Sequence, residues 1–555
     1  MSEYRWVRRV IAGFVAVSVL CLAGSAVVAA QDGEPEPCSF DNPEWREAQT
    51  VAGVDVRAEE VCRPDNPSTV ATVTRGTNNV PGEVLMDSGL HPDAVRKHTD
   101  RDDDGDPDVV EITLEVQGIN EFEESDVTHA VAPGVDPAFW VFAPKTRGMV
   151  SEGSAAERNI RMPSPPVRVE AGDTVRITLE NTHYFPHTIH LHGTDHPFEA
   201  EGEGNDGVPQ TSEKPLEPGE NRTYEFQPRQ PGTMFYHCHV VPDVHVTMGL
   251  NGMLVVEENR SDNEVQTINV GAGKVRHPSE AVSESYDGEF DLHYQEVDAE
   301  LHEIPARYDD PRRIAEEMNR NYDVGEADPD YFTLNGRSFP YTVRESLVTV
   351  EPDSRYRLRT LNGGSETISL HTHGHKVQLE AYDGVEVDDG QEITRDVVTL
   401  SAAQRVDMTL NTTDDGLHSY GEGVWFFHDH REQGVTNDGI SPGGTITMIT
   451  YQSHLRENGM PDTNRDISRF FDESYYEGEV PVWQELDEER LGDPPNGTAD
   501  DEHHGTADDG DHETSAADAG DDDGDRPTAT SLIGMLAALA AGLLFGTWRN
   551  GGGLP

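Results

Sequence analysis

Four His-x-His doublets recur along this chain: His190/His192, His237/His239, His371/His373 and His428/His430. Aromatic or β-branched residues precede three of them, which favours strands, where side chains at positions i and i+2 project from the same face. One doublet alone is weak evidence for a metal, since surface histidines are common. Four doublets in two matched sets predict pairs of ligands that converge on metal ions. Cys238 lies between His237 and His239, and a thiolate beside imidazoles favours copper over calcium or magnesium.

The chain is long and strongly acidic, with 555 residues and a formal net charge of −64 from 105 acidic and 41 basic residues. This length predicts two or three domains. The charge argues against nucleic acid as a partner, because both molecules are anionic. Since acidic residues occur in every segment, we interpret them as a solvated surface suited to high salt, where screening relieves self-repulsion. A halophilic, haloarchaeal source is predicted, and an ordinary acidic secreted protein is the alternative.

The two ends of the chain predict export and membrane anchoring. An apolar run with a basic start predicts a signal peptide over residues 1–30, with the export route open. Outside the cell, Cys38 and Cys62 are expected to form a disulfide in an irregular segment, which leaves Cys238 unpaired as a metal ligand. A Gly/Asp/His/Thr tract too poor in apolar residues to form a core predicts a disordered stalk. About 20 apolar residues then predict a transmembrane helix, with the body on the extracellular face of the cell membrane.

An internal repeat divides the middle of the chain. The stretches Ala171–Asn181 and Pro352–Asn362 each end nine residues before the first doublet of their half. Both contain alternating apolar residues, which predicts strands, and Pro/Gly turns separate the short strand candidates that follow. We therefore predict an all-β chain with two homologous Greek-key β-sandwiches. The predicted segments are the signal peptide 1–30, an irregular segment 31–108, domain one 109–260, an acidic linker 261–327, domain two 328–455, an acidic tail and stalk 456–526, and an anchor 527–549.

Five segments together resemble the multicopper oxidases: His187-Thr-Ile-His-Leu-His-Gly193, Phe235-Tyr-His-Cys-His239, Tyr331-Phe-Thr-Leu-Asn-Gly336, His371-Thr-His-Gly374 and Phe427-His-Asp-His430. The resemblance covers roughly residues 110–455, and chance would rarely supply four doublets in this order. It implies two cupredoxin-like domains that carry four coppers per functional unit. It also implies an oxidoreductase that takes single electrons from a small phenol-like or metal-ion donor and reduces dioxygen to water.

The resemblance assigns a role to each candidate ligand. His187, Cys238 and His245 would hold a mononuclear type 1 copper. His190 and His371 would hold the type 2 ion of a trinuclear cluster. The type 3 pair would be held by His192, His237, His239, His373, His428 and His430. Electrons would pass from Cys238 to the cluster through the flanking His237 and His239. Leu250 occupies the axial position of the type 1 site, and Met248, two residues earlier, is interpreted as packing, with axial ligation as its alternative.

The second half of the chain departs from the commonest family arrangement. Asp429 stands where a cysteine would lie between His428 and His430, and Ile368 replaces a histidine three residues before His371. The second domain is therefore expected to lack a type 1 copper. This placement is similar to one class of two-domain laccases, whose trinuclear cluster lies between subunits of a homotrimer, so a homotrimer is implied. The alternative is that both halves of the cluster meet within one chain.

Two other functions remain open from the sequence. A copper nitrite reductase also has two cupredoxin domains and forms trimers, but it needs only single histidines at a mononuclear type 2 copper. A copper-storage or electron-carrying protein would bind copper without oxygen consumption. Only 12 methionines are present, which argues against a methionine-rich cuprous oxidase. Asp195, after the first doublet, is interpreted as a surface residue, with proton relay as the alternative.

Overall fold

Regular structure in this chain consists of β-strands and short helical turns. The computed structural model describes residues 49–51, 54–56, 73–74, 91, 93–121, 129–145, 161–261, 265–268, 273–274, 286–388, 390–456 and 459–477. The predicted signal peptide, the Cys38–Cys62 disulfide, the stalk tract and the anchor at 527–549 lie outside these residues. Within them, every helix is too short or too polar to span a bilayer. The mostly β character expected from the sequence is confirmed.

A first β-sandwich surrounds the first two doublets. Three short strands precede it: β1 (Gln49–Val51), β2 (Val54–Val56) and β3 (Val73–Thr74). Its strands are β4 (Val95–His98), β5 (Val109–Ile119), β6 (Phe139–Pro144), β7 (Val167–Glu170), β8 (Thr174–Glu180), β9 (His190–His192), β10 (Glu199–Ala200), β11 (Glu203–Gly204), β12 (Asn221–Phe226), β13 (Gly232–His237) and β14 (Asn251–Glu257). One sheet has the order β12-β8-β5-β4, with β6 also on β5, and the other has the order β7-β14-β13-β9. Apolar side chains from both sheets form one core, because alternate residues of strands such as β8 point inward.

A second β-sandwich surrounds the other two doublets. The short strands β15 (Val265–Gln266) and β16 (Gly273–Lys274) precede β17 (Gly288–Val297), β18 (Tyr331–Leu334), β19 (Val348–Val350), β20 (Arg355–Asn362), β21 (Ile368–Thr372), β22 (Val377–Tyr382), β23 (Val385–Glu386), β24 (Ile393–Arg395), β25 (Val397–Leu400), β26 (Arg405–Asn411), β27 (Val424–Asp429) and β28 (Thr447–Tyr451). The larger sheet has the order β16-β17-β20-β26-β22-β23, and the smaller has the order β19-β28-β27-β21-β25. The two sheets share an apolar core.

Helices are confined to the connections. The α-helices are α1 (Pro242–His245), α2 (Ala299–His302), α3 (Ile304–Arg307), α4 (Pro311–Glu316) and α5 (Thr342–Glu345). A π-turn covers Glu317–Asn321, and 3₁₀ turns cover Val324–Glu326, Glu432–Val435, Gln452–His454, Ser468–Phe471 and Glu473–Tyr475. Helices α2 to α4 bury Leu301, Ile304 and Ile314 against the core of the first sandwich. The connection between the sandwiches is thus part of the folded body.

Strand pairing brings the doublets of each half together. In the first sandwich β9 pairs antiparallel with β13, which places His190 opposite His237. In the second sandwich β21 pairs antiparallel with β27, which places His371 opposite His428. Because directly paired residues project from the same face of a sheet, the rings of each half gather at one place.

The segment predicted as a linker, 261–327, contains a strand of the second sandwich. Strand β17 lies within it and pairs with β20 and β18 of the second sandwich. All its residues after the first are buried, since both faces of the strand are covered. Polar and apolar residues alternate from Glu289 to Gln295, so the strand pattern was present in the sequence and the predicted boundary passed over it. The polar face is buried because its acidic side chains pair with Arg168 and Arg359.

The folded body also extends beyond both predicted outer boundaries. Strand β4 pairs with β5, so residues predicted as an irregular segment before 109 belong to the first sandwich. After residue 455 the chain continues to pack, because Met460, Phe470 and Phe471 are buried beside the second sandwich. Burial of these three apolar side chains packs the acidic segment against the second sandwich. The folded body therefore continues past the predicted start of the tail at 456.

Buried ion pairs join the two sandwiches. Arg168 from β7 lies 2.5 Å from Asp291 of β17. Arg359 from β20 lies 3.2 Å from Glu257 of β14 and also pairs with Glu289 and Asp407. Both arginines are at most 2% exposed, so these contacts are screened little by salt. Each arginine therefore pairs with a carboxylate of the other sandwich, and these buried pairs link the two.

Replacing one of these arginines should destabilise the fold strongly. Arg359→Leu would leave its buried carboxylates without their cation, which typically costs about 3–5 kcal/mol. Urea unfolding at constant salt measures this loss. The matched control is Arg312→Leu, whose side chain is 89% exposed beside Asp310 and whose replacement should leave stability almost unchanged. Equal small losses in the two variants would contradict the role given to Arg359.

Candidate metal centre

One thiol and two imidazoles meet in the interior of the first sandwich. Sγ of Cys238 lies 3.6 Å from Nδ1 of His187 and 3.4 Å from Nδ1 of His245. All three side chains are buried, and their ligand atoms lie within 4.8 Å of one another. We call this group the thiolate site. One sulfur and two imidazole nitrogens that face a common point match the donor set that a blue-copper site uses.

Local structure explains how the thiolate site forms. Cys238 directly follows β13, and its amide donates to the carbonyl of Leu250 at 2.9 Å. Val241 adopts a left-handed backbone with φ of 42°, which turns the chain into helix α1 and brings its last residue, His245, back to the thiol. The six residues between Cys238 and His245 contain the start of this helix.

Both axial candidates are buried near the thiolate site. Leu250 and Met248 are each fully buried. The carbonyl of Leu250 accepts the Cys238 amide, whereas the carbonyl of Met248 accepts the amide of Trp140 at 2.8 Å. Backbone pairing therefore connects Leu250 directly to the cysteine. The axial position of Leu250 stays a prediction.

Four imidazoles of the first sandwich form a compact group next to the thiolate site. This first quartet consists of His190, His192, His237 and His239, with ring centroids 5.0–5.6 Å apart. Nε2 of His192 faces Nε2 of His237 at 2.9 Å. Nδ1 of His190 donates to the carbonyl of Asp206 at 2.6 Å, and Nδ1 of His237 donates to the carbonyl of Cys238 at 2.8 Å. These carbonyls select the tautomer that leaves Nε2 of each ring as the ligand atom.

The second sandwich repeats this arrangement. The second quartet consists of His371, His373, His428 and His430, with ring centroids 4.7–5.7 Å apart. Nε2 of His373 faces Nε2 of His428 at 3.3 Å. Nδ1 of His371 donates to the carbonyl of Asp396, and Nδ1 of His428 donates to the carbonyl of Asp429. The same carbonyl pattern in both quartets prepares the same ligand nitrogens.

The two quartets do not contact each other within the part of the chain that the structure describes. Ring contacts and hydrogen bonds between these eight histidines stay inside each quartet. His373 and His430 of the second quartet are exposed, and the neighbouring Phe426 is 41% exposed. Each quartet therefore offers half of a ligand set, and the second offers it at the surface.

Burial keeps the imidazoles in the neutral form that binds metals. It lowers the pKa of His245 to about 3. Burial and the neighbouring His237 lower the pKa of His192 to about 3, and burial lowers the pKa of His237 to about 4. Burial raises the pKa of the Cys238 thiol to about 11, so without a metal this thiol stays protonated at neutral pH. The donors fit a soft transition metal, whose charge would stabilise the thiolate.

Several residues around the first quartet were missed by sequence reasoning. Asp206 holds His190 through its carbonyl, and its Oδ1 lies 2.9 Å from Nε2 of His196. No local pattern indicated Asp206, because it lies 16 residues after His190 in the sequence and contacts it only in the folded chain. Asp195, for which a proton relay was the alternative, instead pairs with Arg229 at 2.7 Å on the surface.

The metal-free protein should lose stability as the pH falls from about 7 to about 4. The folded-state pKa values of His245, His192 and His237 lie below the ordinary 6.5, so the unfolded chain takes up protons first. Their contribution is present above pH 6.5 and is lost as the pH falls towards the folded-state values. Urea midpoints across this range measure the loss. His245→Leu should reduce the pH dependence, and an unchanged slope would contradict this reading.

Comparison with known proteins agrees with this geometry. Two family models, both described as multicopper oxidase, match residues 146–261 and 302–436. An iron transport multicopper oxidase, FET3 of Gibberella zeae, is 23% identical over 370 residues, which cover 58% of this chain and 52% of that protein. An L-ascorbate oxidase of Nicotiana tabacum is 29% identical over 246 residues, which cover 41% of this chain and 38% of that protein. The chain thus spans about half or less of the length of these relatives.

Among solved structures, the blue copper oxidase of Nitrosomonas europaea is 25% identical, with a TM-score of 0.46, and the match covers 66% of this chain and 95% of that one. The two family matches fall on the two halves that carry the histidine quartets. Both of these regions of the chain match the multicopper oxidase family.

Proposed function

We propose that this protein is a copper-dependent oxidase that takes single electrons from a small reducing substrate and reduces dioxygen to water. One observation carries the proposal: Cys238 of the thiolate site is covalently next to two members of a histidine quartet. A site that collects single electrons is therefore joined to a site built for several metal ions. Dioxygen reduction needs four electrons, and clustered metals avoid the release of partly reduced oxygen.

The residues present fit four coppers per functional unit. His187, Cys238 and His245 would hold the type 1 ion, with Leu250 in the axial position. His190 and His371 would hold the type 2 ion. The type 3 pair would be held by His192, His237, His239, His373, His428 and His430. Bound copper would supply one-electron redox chemistry at the thiolate site and oxygen reduction at the quartets.

The chain itself supplies a short connection between the two sites. Cys238 and His237 are neighbours in sequence, so few covalent bonds separate the sulfur from the quartet. The hydrogen bond from Nδ1 of His237 to the carbonyl of Cys238 adds a second link at 2.8 Å. Both groups are buried, which keeps water away from the connection.

The paired quartets favour an oxidase over the alternatives. A copper nitrite reductase would need only one histidine of each doublet at its mononuclear type 2 copper. Here both members of every doublet lie in a quartet, and Nε2 atoms face each other in both halves. A storage protein would not need the direct connection between Cys238 and the first quartet. Three coppers beside the type 1 ion would distinguish the oxidase from a reductase with one.

The surface of the second quartet supports assembly from several copies. His373 and His430 are exposed, and apolar side chains nearby are also exposed, with Phe426 at 41% and Tyr420 at 59%. The amide of Tyr420 donates to the carbonyl of Gly374, the residue after His373. We propose a homotrimer in which the first quartet of one copy meets the second quartet of the next. Each cluster would then be complete only between subunits.

The donor, the setting and the anchoring are proposals of the same kind. The named relatives include an iron transport oxidase and an L-ascorbate oxidase, so either a metal ion or an organic, phenol-like molecule is proposed as donor. Export by the signal peptide, attachment to the extracellular face of the cell membrane and a halophilic source remain predictions from the sequence. The acidic surface supports the halophilic setting.

Cys238→Ser should abolish the blue thiolate-to-copper absorption and donor oxidation. Serine has nearly the same size but cannot supply the soft sulfur ligand. The trinuclear cluster should stay loaded, so three of the four proposed coppers would remain. Absorption spectra, copper analysis and oxygen uptake with a phenolic donor measure these effects. A blue band that survives would refute the type 1 assignment, and wild-type protein with no oxygen uptake would refute the oxidase.

His428→Ala should keep the blue colour and lose oxygen reduction, because it removes a ligand from the second quartet only. His190→Ala should do the same from the first quartet. The two variants are then unfolded and refolded together, so that mixed trimers form. If each site takes its quartets from two copies, about one site in four receives both intact quartets by chance, and oxygen uptake should recover to about one quarter of the wild-type value. Each variant refolded alone is the control. No recovery in the mixture, with wild-type protein that refolds to full activity, would contradict the shared cluster.

A further inference from the structure

A buried histidine and a buried glutamate stand behind the thiolate site. Nδ1 of His183 lies 2.9 Å from Nε2 of His187, the nitrogen on the side of the ring away from Cys238. Nε2 of His183 lies 3.5 Å from Oε1 of Glu121. His183 is 5% exposed and Glu121 is 6% exposed, while His187 is fully buried. A row of three side chains therefore runs from the thiolate site to a carboxylate.

Only one choice of tautomers for His187 and His183 lets every hydrogen bond of this row form. Nδ1 of His187 faces the Cys238 thiol and is the atom available to a metal, so a neutral ring carries its proton on Nε2. That N–H donates to Nδ1 of His183, whose own proton must then lie on Nε2. This second N–H points to Glu121, and an ionised carboxylate can only accept. The carboxylate thus sets the tautomer of both rings.

Two further donors hold Glu121 in place. Nε1–H of Trp140 donates to Oε1 of Glu121 at 2.6 Å, and the hydroxyl of Tyr184 donates to the same oxygen at 2.7 Å. The Trp140 ring also forms part of the wall of the thiolate site, with its centroid 5.3 Å from that of His245. Gly118 leaves room for the carboxylate, because a Cβ there would lie 1.8 Å from Oε2.

The charge of Glu121 has no cationic side chain to balance it. Within the part of the chain that the structure describes, its one ion-pair contact is with His183, and no lysine or arginine lies within 4 Å of its carboxylate. A buried charge that only neutral donors stabilise remains costly. A metal cation on His187 would lie at the other end of the row and offset this charge.

We propose that Glu121, acting through His183, is a positioning residue for the type 1 copper. This inference rests on the proposed function, which assigns His187 as a copper ligand. The row fixes the ring orientation of His187 and increases electron donation from its Nδ1, as carboxylate–histidine pairs do at other metal sites. Stronger donation favours Cu(II) over Cu(I), so Glu121 lowers the reduction potential of the type 1 site.

Glu121→Gln in the full copper-loaded protein tests this proposal. Glutamine keeps the shape and one accepting oxygen but has no charge. We expect the preference of the site for Cu(II) over Cu(I) to fall by about tenfold, which corresponds to a rise of about 59 mV in reduction potential. The blue absorption band should also change position while four coppers remain bound. Redox titration of the blue band measures both effects.

A second variant, His183→Asn, tests whether the effect of Glu121 passes through His183. His183→Asn can still accept the N–H of His187 through its side-chain oxygen but no longer reaches Glu121. It should raise the potential in the same direction as Glu121→Gln, and it carries the test if that variant fails to fold. The matched control is Glu115→Gln, which removes a 6% exposed glutamate from the same region, β5, and should leave the potential unchanged.

The outcomes distinguish this inference from the proposed function. If both row variants are blue and their reduction potential and absorption band are unchanged, the role of Glu121 is overturned. The proposed oxidase function would be unaffected by that result. An equal shift in Glu115→Gln would also overturn the role of Glu121, because any buried charge would then act alike. Wild-type protein that binds copper without a blue band would instead refute the type 1 assignment itself.

Discussion

The pairing of β9 with β13 is the contact on which the rest of the centre depends. It places His190 opposite His237 and ends where Cys238 begins, so the first quartet and the thiolate site share one strand end. The second sandwich has the same pairing between β21 and β27. There Asp429 takes the place of the cysteine, and its carboxylate accepts the amide of Ser369 at 2.7 Å. One repeat thus has the thiolate site at this position, whereas the other uses the same position to join β27 to β21.

Backbone carbonyls and burial prepare the ligands before any metal binds. In both quartets the first histidine donates to a carbonyl from a neighbouring loop, and the histidine opposite donates to the carbonyl of the next residue. Burial lowers the pKa of His192, His237 and His245 by penalising their charged form. At the thiolate site the row through His183 to Glu121 does for His187 what the carbonyls do for the quartets. Hydrogen bonds from surrounding residues therefore fix the orientation of the candidate ligands.

The two sandwiches are joined away from the second quartet, and this arrangement leaves that quartet at the surface. Arg168 and Arg359 pair with carboxylates from both sandwiches, so their relative position is set by charges that must be compensated. A chain packed in this way presents the second quartet to solvent beside exposed aromatic rings. Such a surface is the physical basis for the proposal that a second copy completes it.

The sequence alone indicated the β-rich fold and the histidines that the structure brings together, because i, i+2 spacing on a strand is a local property and repeats visibly in both halves. It also indicated that the second half lacks the cysteine. Only the tertiary structure decided which boundaries hold and which residues support the ligands. In strand β17 the polar residues that alternate with the apolar ones are buried as well, because Arg168 and Arg359 pair with Asp291 and Glu289 across the fold. Asp206, His183 and Glu121 reach the centre across folded contacts, and no spacing along the chain records which distant side chains a fold brings together.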